Sequence, residues 1–193
     1  SIPMPGKTNY VVDTEQTCRN TRLCSMHWFG AVKLTEKLDI TFEGKMKPRK
    51  DTFYDRESMK YNGNATWEEM NRWQEPSIVI PQFVTWILGT LEPRTEPLLW
   101  IDNNGHDKKW LDLYMDWYGD DKLLTHTSRN INDRYRGFKE GYKAASGQDV
   151  PEKFRSLDNL SVTPHDHTPV NDAVGKAEAL LALREIGFQI EVH

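Results

Sequence analysis

Hydrophobic and polar positions alternate in three short segments near the start of the sequence. The segments cover residues 8–13, 24–34 and 38–44, and all three are rich in strand-forming residues. This pattern is typical of β-strands with one buried face. Because only short connections separate them, the three segments predict an antiparallel meander.

From about residue 60 onward the apolar spacing is that of helices, interrupted by short hydrophobic strands. Helices are predicted at residues 64–75, 77–88, 106–119, 129–145 and 171–185, and strands at 96–102, 123–128 and 187–192. Asn64 or Thr66 is expected to cap the first of these helices. Three strands followed by alternating helices and strands predict one α/β domain over residues 1–193, with a mixed sheet flanked by helices.

The composition is that of a soluble domain with a full core. Charged residues make up 28% and hydrophobic residues 37% of the 193 positions. No apolar run approaches the roughly 18 residues that a membrane span needs, so no membrane partner is expected. An N-terminus without a signal-peptide pattern and only two cysteines favour a cytoplasmic location.

Two acidic residues, Asp13 and Glu15, end the first predicted strand. In an extended segment, side chains two residues apart point to the same side. Two carboxylates on one side raise each other's pKa unless a cation lies between them. The pair is therefore either part of a metal site or a solvated strand end. The net charge of −4 does not decide between these readings, because carboxylates that bind cations still count as negative.

A polar loop follows the hydrophobic strand that ends at Ile101, and an acid opens the next helix. Asp107 in the first helical turn is either a charge favoured by the helix dipole or a metal ligand at the edge of the sheet. Asp102 in the same loop is a rival for the second role. This segment alone does not settle the choice.

The stretch "VTPHDHTPVNDAVGKAEALLAL", residues 162–183, places two histidines and two aspartates before a helix. Asp172 opens that helix, where an acid also serves as a simple N-terminal charge. His167 lies five positions before Asp172, and His165 is expected to be an exposed loop residue. A carboxylate on a helix beside a loop histidine is also what metal-dependent phosphodiester hydrolysis requires.

Taken together, these segments resemble the motifs of the DEDDh branch of the DnaQ-like 3'–5' exonucleases. "VVDTEQT" is similar to the family's first motif, an apolar pair followed by D-T-E-T-T. "DNNGHDKKWL" is similar to the second, H-N-x-x-F-D-x-x-x-L, with Asp102 and His106 replacing the usual His and Phe. "HTPVNDAVGKAEAL" is similar to the third, H-x-A-x-x-D-A, with Pro169 replacing Ala.

The resemblance implies an RNase H-like fold and two-metal hydrolysis at the 3' end of a nucleic acid. Asp13, Glu15 and Asp172 would bind one Mg²⁺ or Mn²⁺ ion, and Asp13 with Asp107 a second. His167 would act as the general base that takes a proton from the attacking water. The products would be nucleoside 5'-monophosphates.

The expected partner is a single-stranded nucleic acid with a free 3' end. By the same resemblance, Gln16, Thr17 and Asn103 are expected to bind the terminal nucleotide. Basic residues at 45–50 and 129–143 are candidates either for phosphate contacts or for solvated faces. Four aromatic residues are candidates either for stacking on bases or for the core: Trp28, Phe29, Trp67 and Trp73.

Several alternatives stay open at this point. DNA is slightly favoured because the sequence resembles phage-type members, which also implies the cytoplasm of a bacterium or a phage-infected cell. A 3'–5' exoribonuclease of the RNase T or oligoribonuclease type is the first alternative, and a non-catalytic binding module on the same fold is the second. The oligomeric state is open between monomer and homodimer. Cys18, Cys24 and His27 match no common zinc spacing and are interpreted as structural.

Overall fold

The structure, a computed structural model, describes residues 5–102, 104–120, 122–124 and 128–193. A five-stranded sheet with the strand order β3-β2-β1-β4-β5 forms its centre. The strands are β1 (Gly6–Gln16), β2 (Met26–Lys33), β3 (Thr41–Lys45), β4 (Thr95–Ile101) and β5 (Ser128–Asn130). The pairs β1–β2 and β2–β3 are antiparallel, whereas β1–β4 and β4–β5 are parallel. The predicted mixed sheet is therefore confirmed.

Helices connect the strands and cover the sheet. The α-helices of the described residues are α1 (Arg56–Met59), α2 (Trp67–Met70), α3 (Pro76–Thr90), α4 (Lys109–Tyr118), α5 (Ile131–Ser146) and α6 (Pro169–Leu183). A π-helical turn at Asn104–Lys108 precedes α4. None of the described helices is long and apolar enough to cross a membrane.

The alternation of side chains along the central strand β1 divides the core into two halves. Even-numbered residues such as Tyr10 pack against α3 and α4, and odd-numbered residues such as Val11 pack against α5 and α6. Since successive strand residues face opposite sides, Asp13 and Glu15 lie on the α6 side, and Thr14 lies on the α4 side. The two acids of the first motif therefore point to one side of the sheet, and Thr14, which lies between them in the sequence, points to the other.

The strand predicted at residues 187–192 is wrong. This segment is irregular, and Phe188 and Ile190 pack on the α5–α6 side of the sheet. Its backbone is hydrogen-bonded to a side chain instead of to a strand. Asn9 Nδ2 donates to the carbonyl of Glu191 at 2.9 Å. The strand that it meets, β1, already pairs with β2 and β4 on its two sides, so it offers no free edge for another ladder.

Two other elements differ from the predicted ranges. The helix predicted at residues 64–75 is only the short α2, which begins after Thr66 with a capping box formed by Thr66 and Glu69. The strand predicted at residues 123–128 is found at Ser128–Asn130. Residues 125–127 of that prediction lie outside the described residues.

Cys18 and Cys24 form a disulfide that closes the loop between β1 and β2. His27, just beyond this loop, is buried, and its Nε2 lies 3.0 Å from the carbonyl oxygen of Asn62. Both sulfur atoms are bonded in the disulfide, so neither is available to a metal. The three residues have the structural role that their spacing predicts.

Candidate active site

Strand β1 ends with two acids on the side of the sheet that α6 covers. In the ladder with β2, Asp13 is paired with Gly30 and Glu15 with Trp28. Glu15 is only 5% exposed. The two carboxylates therefore point into the space between the sheet and the beginning of α6.

A glycine allows α6 to begin directly on the sheet. A Cβ added at Gly30 would lie 2.4 Å from the backbone nitrogen of Val170, which is closer than real Cβ contacts allow. Val170 is in the first turn of α6, and Asp172 in the same turn is 6% exposed. Because Gly30 is also the ladder partner of Asp13, this close approach brings Asp172 beside the acids of β1.

Replacing Gly30 by alanine should push the first turn of α6 away from β2. Overpacking of this kind costs about 1–3 kcal/mol of stability, which would lower Tm by about 2–4 °C per kcal/mol for a chain of this size. Thermal melting and Mg²⁺ titration would measure both effects, since displacement of Asp172 should also weaken metal binding. Gly89→Ala is the matched control, because a Cβ there meets nothing within 4 Å. A Gly30→Ala protein with wild-type Tm and metal affinity would contradict this role.

The acids of β1 and α6 form a cluster of oxygen donors. One oxygen from each of Asp13, Glu15 and Asp172 lies within 4.8 Å of the other two. Asp13 Oδ2 and Asp172 Oδ1 are buried and accept no hydrogen bond from the described residues. His165 Nδ1 is 3.0 Å from Asp172 Oδ1, but not in a hydrogen-bonding direction. Buried carboxylate oxygens that accept no hydrogen bond are suitable ligands for a hard divalent cation.

Burial and mutual repulsion raise the pKa values of this cluster. Burial, followed by repulsion from Glu15 and Asp107, raises the pKa of Asp13 well above its usual range. Burial and repulsion from Asp172 and Asp107 raise the pKa of Glu15 to about 9. The pKa of Asp172 is also raised, mainly by burial, against the opposing effect of His165. A cation bound among these carboxylates would compete with their protons.

Asp107 reaches the same cluster from the π-helical turn before α4. It is 7% exposed, and its Oδ1 accepts a hydrogen bond from Thr14 Oγ1 at 2.6 Å. Burial raises the pKa of Asp107 to about 6, and the bond from Thr14 opposes that rise. Asp107 is not one of the three acids whose oxygens lie within 4.8 Å of each other. Its charge nevertheless raises the pKa of Glu15, so it belongs to the cluster electrostatically.

Asp102, the rival of Asp107, is engaged by other partners. Its Oδ1 accepts a hydrogen bond from Asn132 Nδ2 at 2.8 Å and lies 3.7 Å from Lys176 Nζ. These partners belong to α5 and α6. The carboxylate of Asp102 is thus held by an amide and an ammonium group, whereas Asp107 is held by the motif that carries Asp13 and Glu15.

The loop before α6 brings both of its histidines to Asp172. A nitrogen of His165, a nitrogen of His167 and an oxygen of Asp172 lie within 4.8 Å of one another. The two imidazole rings are 4.7 Å apart between centroids. The side chain of His165 is 65% exposed, as expected for a loop residue, but it also contacts Asp172. The sequence did not indicate that contact.

A side chain three residues before α6 holds the turn that carries His167. His167 has a φ of 61°, in the left-handed region that histidine enters more readily than most residues. The carboxylate of Asp166 accepts hydrogen bonds from the Thr168 backbone N–H and from Asn171 Nδ2, both at 2.9 Å. These bonds lower the pKa of Asp166. They stabilise the turn that directs His167 towards the acids.

Two of the three residues expected to bind the terminal nucleotide are already engaged within the protein. Gln16 Oε1 lies 2.8 Å from His106 Nε2, and the amide of Gln16 donates to Thr14 Oγ1. Thr17 is buried, and its hydroxyl donates to the carbonyl of Phe53 at 2.7 Å. Asn103 lies outside the described residues. Contact of these residues with a nucleotide stays a prediction.

The aromatic candidates for stacking divide between the core and the surface. Phe29 is fully buried between the sheet and α3, so of its two predicted roles the structure supports the core and excludes stacking. Trp28 and Trp73 are partly buried beneath the ammonium group of Lys45, at 4.9 and 5.4 Å from the ring centroids. Trp67 is 36% exposed. The sequence alone could not distinguish the buried aromatic residues from the exposed ones.

Many basic side chains of the two predicted patches have partners within the protein. Lys47 pairs with Glu75 at 3.3 Å, and the guanidinium of Arg49 donates to backbone carbonyls. In α5, Lys143 pairs with Asp149 at 3.2 Å. These contacts leave fewer free charges in both segments than their sequences suggest.

Three residues without an assigned role in the sequence hold the site together. Thr14 binds Asp107, Gly30 admits α6, and Asp166 closes the turn at His167. Thr14 lies between the two acids of the first motif, so the alternation of side chains along the strand could have predicted that it points to the opposite side of the sheet. The roles of Gly30 and Asp166 depend on strand register and turn geometry, for which the sequence carried no signal.

Comparison with known proteins finds similarity at the level of structure. No protein-family model matches the sequence, and no curated protein matches it. The nuclease domain of 3'hExo, a DEDDh family member solved bound to rAMP, has a TM-score of 0.68 at 18% identity over 96% of this chain and 95% of that one. A full-length 3'-exonuclease has a TM-score of 0.70 at 17% identity over 100% of this chain and 66% of that one.

A bacterial enzyme extends the same similarity. The complex of E. coli ExoI with single-stranded DNA, in a zinc-bound form, has a TM-score of 0.64 at 15% identity. It covers 94% of this chain but only 41% of the larger protein. The chain therefore has the fold of the DEDDh 3'-exonucleases, and the predicted α/β, RNase H-like architecture is confirmed.

Proposed function

We propose that the protein is a metal-dependent 3'–5' exonuclease that removes nucleoside 5'-monophosphates from single-stranded nucleic acid. The observation that carries this proposal is the set of Asp13, Glu15 and Asp172 oxygens within 4.8 Å of one another, with buried acceptors left unsatisfied. The shared fold with DEDDh nucleases supports it. A purely structural cluster of acids would gain nothing from this costly burial.

The donor set favours Mg²⁺ or Mn²⁺ as the cofactor. Asp13, Glu15 and Asp172 would hold one ion, and Asp13 with Asp107 a second. Carboxylate oxygens suit these hard cations better than they suit zinc. When bound, such ions polarise a phosphodiester and favour ionisation of a water molecule.

The chain itself supplies the proton acceptor and the geometry. A ring nitrogen of His167 lies within 4.8 Å of a carboxylate oxygen of Asp172, where it can accept the proton of an attacking water. The turn held by Asp166 keeps that imidazole near Asp172. Thr14 fixes one oxygen of Asp107.

The substrate is proposed to be an unpaired strand with a free 3' end, with DNA slightly favoured. The structure of E. coli ExoI with single-stranded DNA supports this substrate class by fold. An exoribonuclease is the second candidate, because the 3'hExo domain was solved bound to rAMP, a ribonucleotide.

Metal-dependent release of mononucleotides from end-labelled strands tests the proposal. With Mg²⁺ or Mn²⁺, a 3'-labelled strand should lose its label at once as a mononucleotide, whereas a 5'-labelled strand should shorten in single steps. EDTA should abolish both reactions, and a 3'-phosphate should block them. Parallel DNA and RNA strands identify the preferred sugar, and a Zn²⁺ series tests the metal. Absence of cleavage with every metal would exclude the enzyme and leave a binding module.

A further inference from the structure

Two loops beside the acid cluster form a single surface. The first, residues 18–24, is closed by the disulfide, and the second covers residues 49–61. They are held together by hydrogen bonds from Phe53 N–H to the carbonyl of Leu23 at 2.6 Å and from Arg49 to the carbonyl of Thr21 at 2.7 Å. We call these two segments the paired-loop surface.

The paired-loop surface is positively charged on a chain of net charge −4. Its two segments contain six basic and three acidic residues: Arg19, Arg22, Arg49, Lys50, Arg56 and Lys60, with Asp51, Asp55 and Glu57. Of the acids, Asp55 caps α1 and Glu57 pairs with Lys60 at 3.0 Å. Arg19, Arg22 and Arg56 are exposed and form no ion pair with a described carboxylate. These three guanidinium groups are available to phosphates.

Exposed apolar side chains lie among these charges. Phe53 is 63% exposed, Tyr61 is 69% exposed and Leu23 is 47% exposed. Contiguous exposed apolar groups on a charged surface mark binding sites, whereas single exposed ones are ordinary. Aromatic rings between basic side chains are the combination that binds unpaired nucleotides, because rings stack on bases and cations contact phosphates.

The paired-loop surface shares a cavity with two residues that are sequence neighbours of the predicted metal ligands. A cavity of about 370 Å³ lies between the two loops, and Arg19 and Tyr61 are part of its lining. Gln16 and His106 form another part of the wall, and they are joined by a contact of 2.8 Å. His106 directly precedes Asp107. Because Gln16 follows Glu15 and His106 precedes Asp107, this cavity offers a path onto the paired-loop surface for a strand whose 3' end lies at the acids.

We propose that the paired-loop surface binds the part of a single strand that lies upstream of the 3'-terminal nucleotide. The guanidinium groups of Arg22 and Arg56 contact phosphates, and the rings of Phe53 and Tyr61 stack on unpaired bases. This inference rests on the proposed exonuclease function, since it assigns the upstream path of that substrate. It makes the enzyme selective for strands of several nucleotides over dinucleotides. The position beside the acids favours nucleic acid over an acidic protein partner.

Two substrates of different length separate the paired-loop surface from the chemistry. The variants are Arg22→Ala combined with Phe53→Ala, and Lys37→Ala as a control with the same loss of charge in an exposed loop beyond the opposite end of β2. One substrate is a single strand of roughly ten nucleotides, and the other is the p-nitrophenyl ester of thymidine 5'-monophosphate. The double variant should raise KM for the strand by about tenfold or more. It should leave kcat/KM for the ester as in the wild type, and Lys37→Ala should change neither value.

Binding without cleavage keeps the two proposals distinguishable. Fluorescence anisotropy with a labelled, 3'-phosphorylated strand should show at least about tenfold weaker binding for the double variant. Its Kd should also depend less on salt, by about 0.7 in the logarithmic slope for each phosphate that the variant no longer binds. Unchanged binding would overturn the proposal for the paired-loop surface and leave those loops to a protein partner. Weakened binding by the double variant, alongside a wild-type protein that cleaves neither substrate, would instead refute the exonuclease function alone.

Discussion

Replacing Asp13 by asparagine should lower the nuclease kcat/KM at least about 1,000-fold, since several kcal/mol of charge stabilisation are lost at about 1.4 kcal/mol per factor of ten. The same change should stabilise the protein in EDTA. Asp13 is the acid whose pKa is raised by burial and by repulsion from both Glu15 and Asp107. Removal of even about 1 kcal/mol of repulsion raises Tm by about 2–4 °C for a chain of this size.

The pH dependence of this stabilisation follows from the raised pKa values. Glu15 and Asp107 have folded-state pKa values of about 9 and about 6, against about 4 for unfolded carboxyl groups. Between about pH 4 and pH 9 the folded state therefore binds more protons than the unfolded state, and stability falls as pH rises. Metal-free wild type should melt at a lower temperature near pH 8 than near pH 5. Asp13→Asn should reduce that difference.

Thermal melting in EDTA and in Mg²⁺, together with cleavage of an end-labelled strand, measures these effects. Asp39→Asn is the matched control, because Asp39 is an exposed acid in the loop between β2 and β3. It should change neither Tm nor activity. An Asp13→Asn protein that cleaved at the wild-type rate, or melted at a lower temperature in EDTA, would contradict the assignment of the acid cluster.

Replacing His167 by alanine should lower kcat by about 100-fold to 10,000-fold, the usual contribution of a general base. The fold should be retained, because the turn is held by the Asp166 side chain and not by the imidazole. Added imidazole should restore part of the activity, as expected when a base is missing from an intact site. Single-turnover cleavage with and without imidazole measures both effects.

His165→Ala is the informative comparison, because its Nδ1 lies 3.0 Å from Asp172 Oδ1. That oxygen belongs to the acid cluster and would be taken by the cation, so the contact with His165 belongs to the metal-free arrangement. His165→Ala should therefore reduce kcat far less than His167→Ala. Loss of activity in His165→Ala with imidazole rescue, together with an active His167→Ala, would exchange the roles of the two histidines.

The fold was predictable because strand and helix periods are local properties of the sequence. Alternation at residues 8–13 indicated a strand and placed Asp13 and Glu15 on one side. The segment at residues 187–192 has a similar alternation but is irregular. A strand needs a free edge as well as a suitable pattern, and edges are decided by the whole sheet.

The residues of the candidate site could be selected from the sequence, but their arrangement could not. Motif spacing selected Asp13, Glu15, Asp107, His167 and Asp172, and the structure brings these five into one region. The contact of His165 with Asp172 depends on the course of a loop that has no periodic pattern. Likewise, Phe29 and Tyr61 are both aromatic, although Phe29 is buried in the core and Tyr61 is 69% exposed.

The close packing of α6 against Gly30 also has a consequence for the synthesis of the protein. Asp13 and Glu15 are synthesised before Asp172, which lies more than 150 residues after them in the sequence. Chains emerge at about 5–20 residues per second, and the sheet can begin to form before α6 has left the ribosome. Until α6 reaches the glycine, the nascent chain has two acids and no complete metal site. The proposed hydrolytic activity thus arises only once α6 has packed against β2.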